Sequence, residues 1–306
     1  MEKITIPVIF SFDENMSLQA GVATFSLLIN ASENVEYDVY YLTQKDIDNK
    51  QKQMFDKLKH LKSCANITFI NVGNAFSDAY EIRNITVAAY YRLLIPSLFK
   101  NHDKVIYLDV DIICKISLER IFEIDFGQNY IAGVASYIYD DKDLEYNSKI
   151  GCSNGCYINS GFLVFNIKKI LEDGINEKFM ELSNNKYLYQ DQDIINIACN
   201  GKIKLLDVKY NFTQLYYRAL LEGNIFTKNF YSFENVKESS KDCIIHYTGN
   251  KPWNSLCLRF EEWWMIYKSS PFYTEEFYYK MFENIANNRN LTLRNRIALL
   301  IKYFIK

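Results

Sequence analysis

The chain has 306 residues, of which 49% are hydrophobic, 16% aromatic and 24% charged, enough apolar mass for one large core or a domain with an appendage. Its 35 Lys and Arg nearly balance 37 Asp and Glu, and a net charge of −2 leaves no basic surplus for a phosphate backbone, so no nucleic-acid partner is expected. Seven scattered cysteines make no disulfide framework; the one close pair, Cys152 and Cys156 around Ser153-Asn154-Gly155, admits a zinc or disulfide reading beside that of packed thiols, and the set suits a reducing, cytoplasmic compartment.

The N-terminal apolar run meets Asp13 and Glu14 too soon for a signal peptide, and no run of ~18 uncharged apolar residues offers a membrane span. A first strand is predicted at Ile4–Ser11, where Pro7 removes a ladder donor and so predicts a bulge or a later start. Leu18, Val22, Phe25, Leu28 and Ile29 then recur at helical spacing, behind Asn15 or Ser17 as cap. Strands follow at Glu36–Leu42 and Ile67–Asn71, and a helix from Thr86 to Ile95 is expected to stop near Pro96. Further strands are predicted at Lys104–Leu108, Tyr130–Val134, Phe162–Asn166, Ile203–Val208 and Cys243–Tyr247. Between the third and fourth of these, a helix begins near Asp191 and ends at a left-handed Asn200-Gly201. Strands alternating with helices predict an α/β fold with a largely parallel sheet, whose ligands bind at the carboxyl ends of strands.

Beyond Pro252 the pattern turns helical, which divides the chain into a catalytic domain over 1–268 and a helical tail over 269–306. Residues 291–306 mix Arg294, Arg296, Lys302 and Lys306 with Leu293, Ile297, Leu299, Leu300, Ile301, Phe304 and Ile305. Such a helix either lies on an anionic membrane surface or docks on the body with its basic face in water.

The sharpest chemical signal is KVIYLDVDII, where an apolar strand runs into Asp109 and Asp111. On a continuing strand the two carboxylates would share a face, about 6.6 Å apart. Like charges at that distance call for a shared cation, and a divalent ion bridging a diphosphate suits them. Other strand and helix ends supply company. Asp13, Glu14 and Asn15 stand before the first helix, as caps or as partners of a base or ribose. Arg92 sits in an otherwise apolar helix and needs an anion, either a metal-site Asp or a structural partner elsewhere. Asn159-Ser160-Gly161 opens an apolar strand, and Gly161 permits close backbone approach. Gln190, Asp191, Gln192 and Asp193 crowd one helix start beyond what capping needs. His246 ends an apolar strand and is followed by Thr248, Gly249 and Lys251, the arrangement of a metal ligand beside a phosphate grip.

Taken in order, these motifs resemble the family 8 retaining glycosyltransferases, from Ile6 to Trp253, including bacterial lipopolysaccharide galactosyl- and glucosyltransferases and, more distantly, glycogenin. The resemblance implies a Rossmann-like nucleotide-sugar fold of glycosyltransferase type A. It implies a UDP-sugar donor and Mn²⁺, with Mg²⁺ as a substitute. By resemblance, Asp109, Asp111 and His246 ligate the metal. Asp13 and Asn15 contact uracil or its surroundings, Gly249 and Lys251 the diphosphate, and Arg92, Asn159, Asp191 and Gln192 the transferred sugar. Ser11, the Asp109-Val110 turn and Ser160 fall among the substrate contacts, and Gln192 and Asp193 lie nearest the place of a group below the sugar ring. Two departures stand out: Met16 replaces an aromatic that some relatives stack on the base, and Gly133–Tyr137 lacks an acid that several relatives carry. The implied reaction moves a hexose, galactose or glucose, to a glycan or lipid-linked glycan acceptor of the cell surface.

Two rival readings remain at this stage. VIYLDVDII also resembles the haloacid dehalogenase type of phosphatase, with Asp109 as nucleophile, although Ile113 stands where that motif has Thr or Val. A non-catalytic sugar-nucleotide binder is the other. A Rossmann dehydrogenase is excluded, since no G-x-G-x-x-G follows a strand.

Overall fold

The structure is a computed structural model, and it describes residues 3–81, 86–152, 156–226 and 228–304. Ile85 and Asn84 of the Arg92 motif, Ser153–Gly155 between the paired cysteines, and the last two residues of the tail lie outside the described residues.

Seven strands form the central sheet: β1 (Ile4–Ser11), β2 (Val35–Thr43), β3 (Cys64–Asn71), β4 (Lys104–Leu108), β6 (Ile131–Ala135), β7 (Ile158–Asn166) and β8 (Ile203–Leu205), in the order β3-β2-β1-β4-β7-β6-β8. All neighbours are parallel except β7, which runs antiparallel to both β4 and β6. A second sheet holds β5 (Ile112–Cys114), β9 (Phe212–Thr213) and β10 (Ile244–His246), with β10 in the middle. The mixed α/β architecture with a mostly parallel sheet is the fold class expected from the alternation of elements.

Strand alternation puts different residues on the two faces of the large sheet. Val8, Phe10, Ile106, Leu108, Phe162 and Val164 enter one core, while Ile9, Val105, Tyr107, Leu163 and Phe165 enter the other. Both faces are covered, which is why β1 and β4 read as unbroken apolar runs.

The bounds of β1 and β4 match expectation, but several details do not. Pro7 causes no bulge: β1 pairs with β2 in one register from Ile4 to Ser11. Its pairing with β4 begins only at Val8, so the missing N–H falls where the second neighbour has not started. The register shift lies instead between Tyr37 and Asp38, against β3. The first helix, Ser17–Ile29, has no side-chain cap; Asp13 caps a preceding 3-10 turn, Glu14–Met16, by accepting from Asn15 N–H. Residues Val87–Leu94 form 3-10 rather than α-helix, and Pro96 opens the next turn instead of stopping one, because its missing N–H is harmless at a helix start. Gly201 does take the left-handed stop, with φ +78°.

The C-terminal helices are packed onto the α/β body. Trp263, Trp264 and Tyr267 of Phe260–Ser269 are buried, with Trp263 stacked on Tyr267 and Trp264 edge-on to both, and Trp264 Nε1–H donates to Pro252 O at 3.0 Å. Phe272 lies over the first helix at Gly21, where a Cβ would come within 2.2 Å of its ring. Gly21→Ala is therefore expected to destabilise by about 1–2 kcal/mol, overpacking outweighing the better helix propensity of alanine. In a Phe272→Leu background the same change should be neutral or stabilising; chemical denaturation measures both, and a more stable single variant would refute the contact.

The last helix, Leu293–Phe304, docks through Leu299 and Leu300 and pairs Lys302 with Glu261 at 3.0 Å. Its outward stripe, Leu293, Ile297 and Ile301, is apolar and exposed, so the water-facing side is not the purely basic face that simple docking predicts. Among the described residues no helix is long and apolar enough to cross a membrane. All seven cysteines are free, Cys152 and Cys156 included.

Candidate active site

The chemistry-bearing residues gather at the carboxyl ends of β1, β4 and β10, together with the start of β7. Asp109 and Asp111 do not continue β4. They occupy the crossing from β4 to β5, between the two sheets. Each is anchored on a different sheet: Asp109 N–H donates to Gly161 O of β7, and Asp111 O accepts from Tyr247 N–H beyond β10. Both carboxylates still converge on His246. Its Nε2 lies 3.2 Å from Asp111 Oδ1 and 3.7 Å from Asp109 Oδ2.

Among the described residues this is the group of acidic and histidine side chains that can hold a metal, with one atom from each within 4.8 Å of the others. The residues fit a divalent ion. Burial pushes the Asp111 carboxyl up, but Lys251 and His246 beside it outweigh burial and hold it well below the usual carboxylate range. His246 Nδ1 is engaged with Asn211 Oδ1 at 2.8 Å, which leaves Nε2 toward the carboxylates. Gly161 faces the group without a side chain, and a Cβ there would stand 2.2 Å from His246 Cε1 and 2.8 Å from Asp109 Oδ2. Oxygen and imidazole donors of this kind suit Mn²⁺, Mg²⁺ or Zn²⁺.

Beneath the triad lies a buried ion network. Arg92, 4% exposed, is within 2.8 Å of Asp109 Oδ1 and 3.2 Å of Asp191 Oδ2, and donates to Ser160 O and Ala89 O. It also lies over the Tyr107 ring at 4.4 Å. Burial opposes its charge, and Asp109 and Asp191 more than restore it. Burial pushes the Asp191 carboxyl up to about 6 despite Arg92. Arg92 thus pairs with Asp109, the first of the two kinds of partner foreseen for it, and with Asp191 of the same site rather than with an anion elsewhere. Ser11 joins the same network, since its hydroxyl meets Tyr107 Oη at 2.8 Å and Tyr107 O–H donates to Asp109 Oδ1 at 2.7 Å.

Other expected residues are placed as follows. Lys251 pairs with Asp111 and donates to Tyr247 O, so in this structure it neutralises one carboxylate of the candidate metal site directly. Gly249 has φ +86°, which glycine adopts freely, and Val110 is buried between the two aspartates. Asp13 accepts from Thr86 O–H at 3.1 Å, and Asn15 is exposed beside it. Asn159 Nδ2 donates to Gln192 Oε1 at 2.9 Å, with Ser160 N–H on the same oxygen at 3.2 Å. Asp193 is fully buried: one oxygen accepts from Tyr157 O–H, the other from Tyr146 O–H and from Tyr189 N–H. The helix bearing these residues starts at Gln190, whose φ of +46° is a strained value for a side-chain-bearing residue and sets the direction of Asp191 and Gln192.

Next to Gln192 opens a cavity of 290 Å³ lined by Tyr137, Tyr146, Tyr189, Asn159 and Thr248 among others. Asp143 reaches its wall too, so an acid enters the cavity from the helix Asp141–Lys149 although Gly133–Tyr137 carries none; its Oδ2 accepts from Tyr139 N–H. A larger cavity of 580 Å³, lined by Lys3, Glu33 and Lys62, lies at the opposite, amino-terminal end of β1 and has none of this chemistry.

Sequence reading missed Tyr107, Asn211, Tyr146 and Tyr157. Tyr107 carried a usable signal, a polar-tipped ring two residues before Asp109 in an apolar strand. Asn211 carried none.

Residues 7–257 match the sequence family described as Glycosyl transferase family 8. The chain belongs to that family. It is 26% identical to a lipopolysaccharide 1,3-galactosyltransferase of Salmonella typhimurium, over 81% of this chain and 73% of that one. It is 28% identical to a lipopolysaccharide 1,2-glucosyltransferase of Escherichia coli, over 97% and 83% respectively. Its fold superposes on the galactosyltransferase LgtC, solved with donor and acceptor sugar analogs, with a TM-score of 0.75 at 25% identity, covering 90% of this chain and 100% of that one. Family membership and fold place the chain among the glycosyltransferases.

Proposed function

We propose that this family 8 member is a metal-dependent retaining hexosyltransferase. It takes galactose or glucose from a UDP-sugar and delivers it to a glycan or lipid-linked glycan acceptor in cell-surface polysaccharide synthesis. The observation that carries this reading is the convergence of Asp109, Asp111 and His246 between two sheets, with Lys251 against Asp111. The names of the lipopolysaccharide transferases above support the sugar and acceptor classes.

Breaking a glycosyl–phosphate bond builds negative charge on the leaving diphosphate, so electrostatic stabilisation is the main requirement. Asp109, Asp111 and His246 would hold a divalent ion, which would supply that stabilisation. Lys251, at the end of the Gly249 turn, is the side chain that would meet the diphosphate beside Asp111. Ser11, Asp13, Asn15 and the Asp109-Val110 turn border the nucleotide. Arg92 and Asp191 fix Asp109 and the base of the sugar site, and Asn159, Ser160 and Gln192 face the transferred hexose. The sugar becomes oxocarbenium-like as the bond breaks. Gln192 is a poor nucleophile and both Asp193 oxygens are already hydrogen-bonded, which supports same-face attack over a covalent adduct. The apolar stripe of the last helix and its exposed Arg294 support a peripheral contact of the tail with the cytoplasmic membrane face.

Calorimetric titration of UDP into the protein, with and without Mn²⁺, tests the reading. Binding that requires the metal is the expected result. UDP binding under no metal condition sinks it, and release of phosphate from a simple phosphomonoester would then favour the phosphatase reading of Asp109.

A further inference from the structure

A file of carboxamides, fully buried at Asn211 and half-buried at Asn159 and Gln192, runs from His246 to the helix Gln190–Ala198. His246 Nδ1 meets Asn211 Oδ1 at 2.8 Å, Asn211 Nδ2 donates to Asn159 Oδ1 at 2.8 Å, and Asn159 Nδ2 donates to Gln192 Oε1 at 2.9 Å. A carboxamide can turn over and exchange its oxygen and nitrogen, so the direction of such a file has to be set by groups that cannot turn. Two backbone N–H groups of β7 do this. Gly161 N–H donates to Asn159 Oδ1 at 3.0 Å, and Ser160 N–H donates to Gln192 Oε1 at 3.2 Å. A backbone N–H only donates, which pins both side-chain oxygens.

The consequence passes along the file. With Asn159 Oδ1 pinned, Asn211 has to face it with its NH₂, because the reversed carboxamide would set two oxygens against each other. Asn211 Oδ1 is then left toward His246, and only a ring nitrogen that carries hydrogen satisfies it. In the neutral ring Nε2 is then the nitrogen that offers a lone pair, and it is the one that faces Asp109 and Asp111. Asn211 is fully buried, so no water competes for the position.

We infer that Asn211 is a positioning residue that holds His246 as the Nδ1–H tautomer with Nε2 bare toward a divalent ion, and that Asn159 ties this choice to the orientation of Gln192. The inference rests on the metal-dependent reading of the site. A hydrogen-bond acceptor behind a ligating histidine is worth roughly 10–100-fold in metal affinity.

Two variants separate this role from plain core packing. Asn211→Leu keeps the volume and removes the acceptor. Asn211→Asp keeps an oxygen on His246 Nδ1 but turns a second oxygen toward Asn159, breaking only the link to Gln192. Calorimetry of Mn²⁺ without nucleotide is the measurement, with thermal melting alongside. Asn211→Leu is expected to weaken Mn²⁺ binding by about 10–100-fold, with Asn211→Asp remaining within about threefold of the wild type. Two results overturn the inference: unchanged Mn²⁺ affinity in Asn211→Leu, or equal weakening in both. If the Leu variant does not fold, ¹⁵N-histidine spectra of the Cd²⁺-loaded Asn211→Asp protein decide, since His246 must keep its hydrogen on Nδ1 and a bare Nδ1 refutes the role. A wild type that binds no divalent ion overturns the metal reading and this inference together.

Discussion

Gly161→Ala is expected to weaken Mn²⁺ binding by about a hundredfold and to lower stability by about 1–3 kcal/mol. The added Cβ would come within 2.2 Å of His246 Cε1 and 2.8 Å of Asp109 Oδ2. Neither neighbour can give way cheaply. Asp109 is tied by Arg92 and Tyr107 through its other oxygen, and His246 is tied on its far side to Asn211. The glycine's φ is not in the left-handed region, so the cost is one of space and not of backbone conformation. Calorimetry with Mn²⁺, set beside chemical denaturation, separates loss of the site from loss of the fold. Wild-type affinity in the alanine variant would mean that the two ligands are looser than their hydrogen bonds indicate.

Asp111→Asn is expected to remove metal-dependent UDP binding and to cut sugar transfer by about 10³-fold or more, since several kcal/mol of charge stabilisation are lost and each 1.36 kcal/mol is tenfold in rate. The substitution is nearly isosteric, so it removes charge and leaves the packing. Asp111 is the carboxylate against which both Lys251 and His246 rest, and these neighbours hold it well below the usual carboxylate range. An amide there offers the ion one neutral oxygen and leaves Lys251 without its anion. Melting temperature should move little, because Lys251 is partly exposed and can turn to water. The test is UDP titration with Mn²⁺ together with donor turnover. Retained metal-dependent binding would show that Asp109 and His246 suffice and that Asp111 serves only to anchor Lys251.

How much of this was legible in the sequence depended on whether a feature was local. β1 and β4 could be bounded to the residue because both lie inside the sheet and carry uninterrupted apolar runs. Asp109, Asp111 and His246 could be found because each follows such a run. β7 was placed too late, since Asn159 and Ser160 look like a loop; their polarity is satisfied by Gln192 and Arg92, which come from elsewhere in the chain. The three-residue β5 and two-residue β9 are too short to show any periodicity. The two aspartates were expected on one strand, and nothing local reveals that the chain changes sheets between them. Asn211 is the clearest case. Its role exists only through partners 35 and 52 residues away, and a single asparagine before Phe-Thr offers no pattern to read.

The order of strands in the smaller sheet bears on how the protein is made. β10, the last of its three strands in the chain, is the middle one, and β5 and β9 are joined into one sheet by hydrogen bonds to it. A chain emerging from the ribosome thus carries Asp109 and Asp111 long before the residue that completes their site. Until His246 arrives, β5 has no neighbour in its own sheet. The large sheet needs nothing beyond Leu205 and can assemble first. Catalytic competence is consequently a late acquisition in synthesis, gained when one three-residue strand slides between two others.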